Sequence, residues 1–449
     1  MTTVLELNDA ALTLHRNADV VYRAPALAVL LEPDLVFGER ARHLSRTHPR
    51  QTNQQYLSRL NADPLPFTVA QAHNHADLVY LHLRELTPLI DEPVLIAVPG
   101  VVSPEQLGVL LGILEELGVE VCGFVDTAAA AVSAVVGSAT ERAGAAADAC
   151  FLDVLLQRAV VTRLNLSEEI ARASSQEIAD CGLAKLLDAW INVIADRFIS
   201  ETRFDPLHAA ATEQQLYDQV YDWIDDPDGG AAGLPSELSI EIVQGEQARR
   251  VEFGRTLLED KGAQRFHALH DLIAPGSRVF VPARCARLPG LRTFLSAQRC
   301  EVTVLPQGSL YRGCTAAFER ITAGTELRLV TRLPAAGGSG TPSPQVPPGA
   351  SPSQGNGAPA GAGSAGTVES PPAGDAGAVP THALLGTRAW PLGARSLPLP
   401  VRLEGRTALL TADDGLTLNG KTLDRDVVLC TGDRIGRGQE EYLIIHVTP

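Results

Sequence analysis

The sequence predicts an α/β domain with mixed sheets, then a disordered linker, then a small all-β sandwich. Three observations carry this. Strand-like and helix-like segments alternate through residues 1–333. A tract of Pro, Gly, Ala and Ser runs over residues 334–382. Residues 383–449 hold short apolar runs broken by turn residues, without helical periodicity.

The elements follow in chain order. Val94–Val98 (VLIAV) is a short apolar strand closed by Pro99-Gly100. Ser103-Pro104-Glu105 then caps a helix with apolar residues at 107, 110, 111, 114 and 117. Glu120–Val125 is the next strand, and the Ala-rich run from Thr127 to Ala149 reads as a packed helix. Phe151–Leu156 and Ala159–Leu164 form a hairpin, and Ser167 to Glu201 reads as mostly helical with a break at Cys181-Gly182. Arg278–Val281 is a strand, Leu291–Ala297 a helix and Val302–Leu305 a strand. The 334–382 tract cannot bury enough apolar surface to offset its ordering entropy, so it is expected to act as a tether. Beyond it, Thr407–Leu410, Leu416–Leu418 and Glu441–Val447 are strands, with Asn419-Gly420 as a hairpin turn.

Composition narrows the function classes. The formal net charge of −16 argues against a nucleic-acid binder and against docking on anionic lipid. Seven cysteines without a C-x-x-C pair read as thiols in a reducing compartment. No signal peptide is read at the N-terminus, and the apolar stretch 107–136 is interrupted by Glu115, Glu116, Glu120 and Asp126. A cytoplasmic protein with no membrane insertion is the expectation.

Four stretches then carry a resemblance. They are Phe37-Gly38-Glu39-Arg40-Ala41 with Pro49, Thr52, Arg59 and Leu60; IAVPGVVSPEQLGVLLGILEELGVEVCGFVDTAAAA (96–131); Phe151-Leu152-Asp153-Val154; and RVFVPARCARLPGL (278–291) followed by EVTVLPQGSLYRGC (301–314). In this order they resemble the nucleotide-binding domain of the 70-kDa heat-shock chaperones, within the actin-like ATPase superfamily. The resemblance implies an actin-like, two-lobed fold over residues 1–333.

The departures from that family bear on chemistry. Its first phosphate hairpin, Asp-Leu-Gly-Thr-Thr, is here Glu6-Leu7-Asn8-Asp9-Ala10. Its second, Asp-Leu-Gly-Gly-Gly-Thr, is Asp153-Val154-Leu155-Leu156-Gln157-Arg158. Such glycines let backbone N–H groups approach phosphate oxygens. The family's adenosine Gly-Gly aligns with Pro282-Ala283, its catalytic lysine with Ser58, and a later Gly-Gly with Cys181-Gly182. The resemblance therefore implies that Glu6, Asp153, Gly182 and Pro282 are vestigial nucleotide-cleft positions. The resemblance, so altered, implies a pseudo-ATPase with no catalytic residue, no metal site and no cofactor; ATP with Mg belongs only to the alternative of an active ATPase.

Residues 415–420, Leu429, Gly432-Asp433-Arg434-Ile435 and 441–447 resemble the second half of a forkhead-associated domain. That family reads phosphothreonine through an early Gly-Arg pair and a Ser-x-x-His segment. Gly405-Arg406 is the nearest match to the first, and no Ser-x-x-His follows it, so a phosphothreonine peptide is not expected as a ligand.

His73, His75 and His82 give too few aligned ligands for a metal and read as a solvated helix face. Asp218, Asp222, Asp225, Asp226 and Asp228 read as a solvated helix end. Trp190, Tyr217, Tyr221 and Trp223 serve either as core or as an exposed partner patch. The expected function is a non-catalytic scaffold or adaptor that binds protein partners through two tethered domains. The alternatives are a divergent ATP-dependent heat-shock-70-like chaperone and a cytoplasmic assembly platform of a secretion or pilus system.

Overall fold

The computed structural model describes residues 2–136, 149–225, 234–323, 327–335 and, with short interruptions, 382–445. Its contacts divide the chain into residues 1–339 and 340–449. Most of the predicted tether lies outside the described residues.

Residues 1–339 are a mixed α/β unit built on two six-stranded mixed sheets. In the first, Thr3–Glu6, Leu12–Arg16 and Asp19–Ala24 form an antiparallel meander. Thr3–Glu6 also pairs in parallel with Val94–Val98, which pairs in parallel with Val121–Asp126. In the second, Ala149–Val154, Ala159–Leu166 and Glu169–Ile178 form the meander. There Ala149–Val154 pairs in parallel with Arg278–Pro282, and that strand with Glu301–Leu305. The same connectivity thus occurs twice. Val94–Val98 is buried along its whole length, which is why it reads as a continuous apolar run rather than an alternating one; Ala149–Val154 is buried likewise, Asp153 included.

Between the sheets, helices Thr127–Ser133 and Ser309–Ala316 pack backbone to backbone. A Cβ on Gly313 would stand 1.8 Å from the Ala130 carbonyl oxygen, so only glycine fits there. Helix Pro104–Glu116 begins at the predicted Ser103 cap with Pro104 in the first turn, and Gln106 completes it as a reciprocal capping box.

Three expectations change. Glu169–Ile178 is a strand, because its full register against Ala159–Leu166 outweighs local helical preference; the helix runs over Leu183–Thr202. The Ala-rich helix ends at Ser133, and Ala149 already starts a strand; residues 137–148 lie outside the described residues. His75 and His82 are buried rather than solvated, at 2% and 1% exposure.

His82 sits between two tyrosines. Tyr22 Oη and Tyr56 Oη each lie 2.7 Å from one of its ring nitrogens, and Phe37 stacks on the ring at 5.1 Å between centroids. A neutral imidazole has one donor and one acceptor nitrogen, so one hydroxyl accepts and the other donates. Burial pushes the His82 imidazole down to about 3 from its ordinary 6.5. Between those values the unfolded chain binds a proton that the folded chain refuses. This contribution to stability is therefore whole above pH 6.5 and is lost as the pH falls toward 3. The stability gap between the native chain and His82→Leu should narrow by about 2 kcal/mol from pH 7 to pH 5 in urea unfolding. A gap independent of pH would contradict a neutral buried His82.

Residues 382–445 form two sheets of antiparallel strands. Leu410, Leu416, Ile435, Tyr442 and Ile444 fill their core. The predicted pairing of Leu416–Leu418 with Lys421–Thr422 is present, while Gly420 of the predicted turn lies outside the described residues. Asn419 adopts φ 50°, accepts from the Arg434 backbone N–H at 2.9 Å and donates to Asp433 at 2.9 Å, as a turn residue does. Gly405 and Arg406 lie outside the described residues. Among the described residues, no helix is long and apolar enough to cross a membrane.

Candidate functional site

The two meanders of residues 1–339 turn their first hairpins toward each other. Glu6, at the end of one strand, leads into a turn holding Asn8 and Asp9; Asp153, on the facing hairpin, leads into the turn at 155–158. Asn8 Nδ2 donates to Asp153 at 3.3 Å, and the Leu156 backbone N–H donates to Asp9 at 2.6 Å. These bonds join the hairpins directly.

Arg284 fills the space beside them. It pairs with Asp153 and donates to the Val154 carbonyl oxygen at 2.7 Å. The Cys285 thiol also donates to Asp153, at 3.2 Å. Asp153 is thus held by an amide, a thiol and a guanidinium, all from this chain. Burial pushes the Glu6 carboxyl up to about 7, against the opposing pull of Arg284. Burial also raises Asp9 above its ordinary range, partly countered by the Leu156 N–H.

Gly182 caps the helix Leu183–Thr202. A helix start offers unsatisfied N–H groups that suit a phosphate. Here the chain itself takes them: Leu183 N–H donates to the Leu155 carbonyl at 2.9 Å and Ala184 N–H to the Leu156 carbonyl at 2.9 Å. Leu155 and Leu156 are buried. Arg158 ties the same turn outward, donating to the Ser58 carbonyl at 3.2 Å and pairing with Glu177 at 2.6 Å. Gln157 donates to the Gln54 carbonyl at 3.0 Å.

Pro282 ends the strand Arg278–Pro282 and stands apart from this contact, on the wall of an adjoining cavity of about 470 Å³. Glu6, Arg23, Phe151, Arg284 and Arg287 share that wall. Thr127 Oγ1 and His15 Nδ1, in residues of the same wall, have no hydrogen-bond partner among the described residues. The structure therefore brings together Glu6, Asp153 and Arg284. It places Gly182 behind the 155–158 turn and Pro282 on the cavity wall that Glu6 and Arg284 also line.

The four aromatics do not form a patch. Trp190, Tyr217 and Tyr221 are buried core residues, and Trp190 Nε1 donates to the Leu258 carbonyl at 3.0 Å. Trp223 is half-buried, edge-on to Phe253. Arg42 lies over the Tyr221 ring at 4.6 Å and Arg46 over Tyr217 at 4.5 Å. The acidic stretch is likewise engaged: Asp218 and Asp222 accept from Arg42 at 3.0 Å each, and Asp225 pairs with Arg23. Arg46 pairs with Asp188 at 2.7 Å. Asp226 and Asp228 lie outside the described residues. The arginines 23, 42, 46 and 284 are the residues that sequence reasoning passes over. The aspartates that hold them lie at least 131 positions away, and no local spacing marks such pairs. No protein-family model matches the chain, and no curated protein sequence matches it.

Proposed function

We propose that residues 1–333 are an actin-like domain of the heat-shock-70 type whose nucleotide chemistry is lost, and that the chain is a non-catalytic scaffold or adaptor. The twice-repeated connectivity of the two sheets supports the fold reading. One observation supports the loss of chemistry: Arg284 pairs with Asp153, the carboxylate that the resemblance aligns with the second phosphate hairpin. An ATP site needs donors preorganised around developing phosphate charge. In this chain the helix-start donors at Leu183 and Ala184 are already bonded to the 155–158 turn. The scaffold role follows from two folding units joined by a Pro/Gly/Ala/Ser-rich tract, which raises the effective concentration of a second contact once the first is made.

Titration of ATP or ADP with magnesium into the full chain should give no heat up to millimolar nucleotide and no change in melting temperature. Ligand at about 100 times its dissociation constant would stabilise the fold by about 2.7 kcal/mol, so micromolar binding would be plain and would overturn the reading. For the scaffold role, a protein partner held by the full chain should bind residues 1–339 alone about tenfold or more weakly. Equal affinity would remove the second contact from the proposal. A second reading, a divergent ATP-binding chaperone, is favoured by the Glu6 carboxyl on the cavity wall, and micromolar ATP binding would establish it.

A further inference from the structure

We propose that the cavity between the first meander and the Pro282–Arg287 segment is a binding site for a small organic anion with an apolar body. Its volume of about 470 Å³ falls within the range of small-molecule pockets. One part of the wall is apolar, with Phe151, Leu305 and Leu310 all buried. Another part is cationic: the guanidinium residues Arg23, Arg284 and Arg287 line it against the single carboxyl of Glu6. The carboxylates that pair with Arg284 and Arg23, Asp153 and Asp225, are not part of the wall, and Arg287 is engaged in interactions of its own.

At the Arg284–Asp153 pair, unlike Arg23–Asp225, the arginine is the more open partner. The Arg284 side chain keeps 18% of its surface open, whereas Asp153 keeps 5%. The positive partner therefore meets the open space and the negative one is sealed behind it. Guanidinium forks match carboxylate and phosphate-monoester oxygens. Val20 and Val304, which also belong to the wall, remain 44% and 38% exposed, so apolar surface continues from the cavity toward solvent. An occupant that covers them while placing one anionic group on the arginines satisfies both features. The site shares Glu6 and Arg284 with the hairpin contact, but none of residues 155–158 belongs to its wall, so a small anion can enter it while that turn stays in place.

The test is calorimetric titration of the full chain at pH 7 with naphthoate, naphthyl phosphate, naphthalenemethanol, naphthylmethylammonium and acetate. Naphthoate or naphthyl phosphate should bind at one site, about tenfold or more tighter than the alcohol and the ammonium, with no detectable binding of acetate. The tighter of the two anions identifies the headgroup. Arg287→Gln should weaken that anion about tenfold, and Ala286→Phe, which adds a ring at the wall, should abolish it. Equal binding of the anion and the alcohol, absence of saturable binding, or unchanged affinity in Arg287→Gln would overturn the proposal. If Ala286→Phe melts early, Arg287→Gln decides alone. Binding of ATP alongside naphthoate would overturn the pseudo-ATPase reading and leave this one standing.

Discussion

Replacing Gly182 with alanine is expected to destabilise residues 1–339 by about 3 kcal/mol or more. The added Cβ would stand 2.3 Å from the Gln157 carbonyl carbon and 2.5 Å from the Arg158 nitrogen. Both are backbone atoms, so no side-chain rotation relieves the clash. To make room, the 155–158 turn must leave the helix start, and the bonds from Leu183 and Ala184 to Leu155 and Leu156 break with it. Burial of Leu155 and Leu156 would be lost in the same movement. Gly108→Ala is the control. That position lies within helix Pro104–Glu116 with nothing within 4 Å of the new Cβ, and the change should stabilise by about 0.5–1 kcal/mol. Urea unfolding of the two variants measures both effects. Equal midpoints would mean that the turn does not rest on the helix start as described.

The second large effect concerns the Asp153–Arg284 pair. Arg284→Met is expected to cost about 3 kcal/mol, because it leaves a buried carboxylate with only Asn8 and Cys285 as side-chain donors. Asp153→Asn alone should cost less, since Arg284 keeps the Val154 carbonyl and an open face. The double variant should recover part of the loss, with a coupling of about 1–3 kcal/mol in the cycle. Additivity within about 0.5 kcal/mol would show that the two side chains act separately.

Several features are legible in the order of residues alone. Val94–Val98 reads as a buried strand because both its faces are apolar, and the Ser103 cap with Pro104 after it is a local pattern. The pairing of Leu416–Leu418 with Lys421–Thr422 follows from turn chemistry. Glu6, Asp153 and Gly182 are singled out in sequence through the resemblance to the heat-shock-70 phosphate hairpins and the later Gly-Gly. Other features need the folded chain. Glu169–Ile178 carries a weak local preference, and its strand pairing decides its form. The alternatives for Trp190, Tyr217 and Tyr221 stay open in sequence, since an aromatic helix face suits a core or a partner equally; helix packing and the arginines 42 and 46 put them inside.

Two things about the hairpins at Glu6 and Asp153 depend on local pattern only: each has a carboxylate in the last two residues of a strand, and neither carries the run of glycines that a phosphate loop uses. What stands between them is a matter of tertiary contact. Arg284 meets Asp153 across 131 residues, and the helix-start donors are satisfied by Leu155 and Leu156. The physical reason is that local pattern reports the conformation a segment prefers, whereas the satisfaction of a buried charge or N–H depends on which distant group the fold delivers to it.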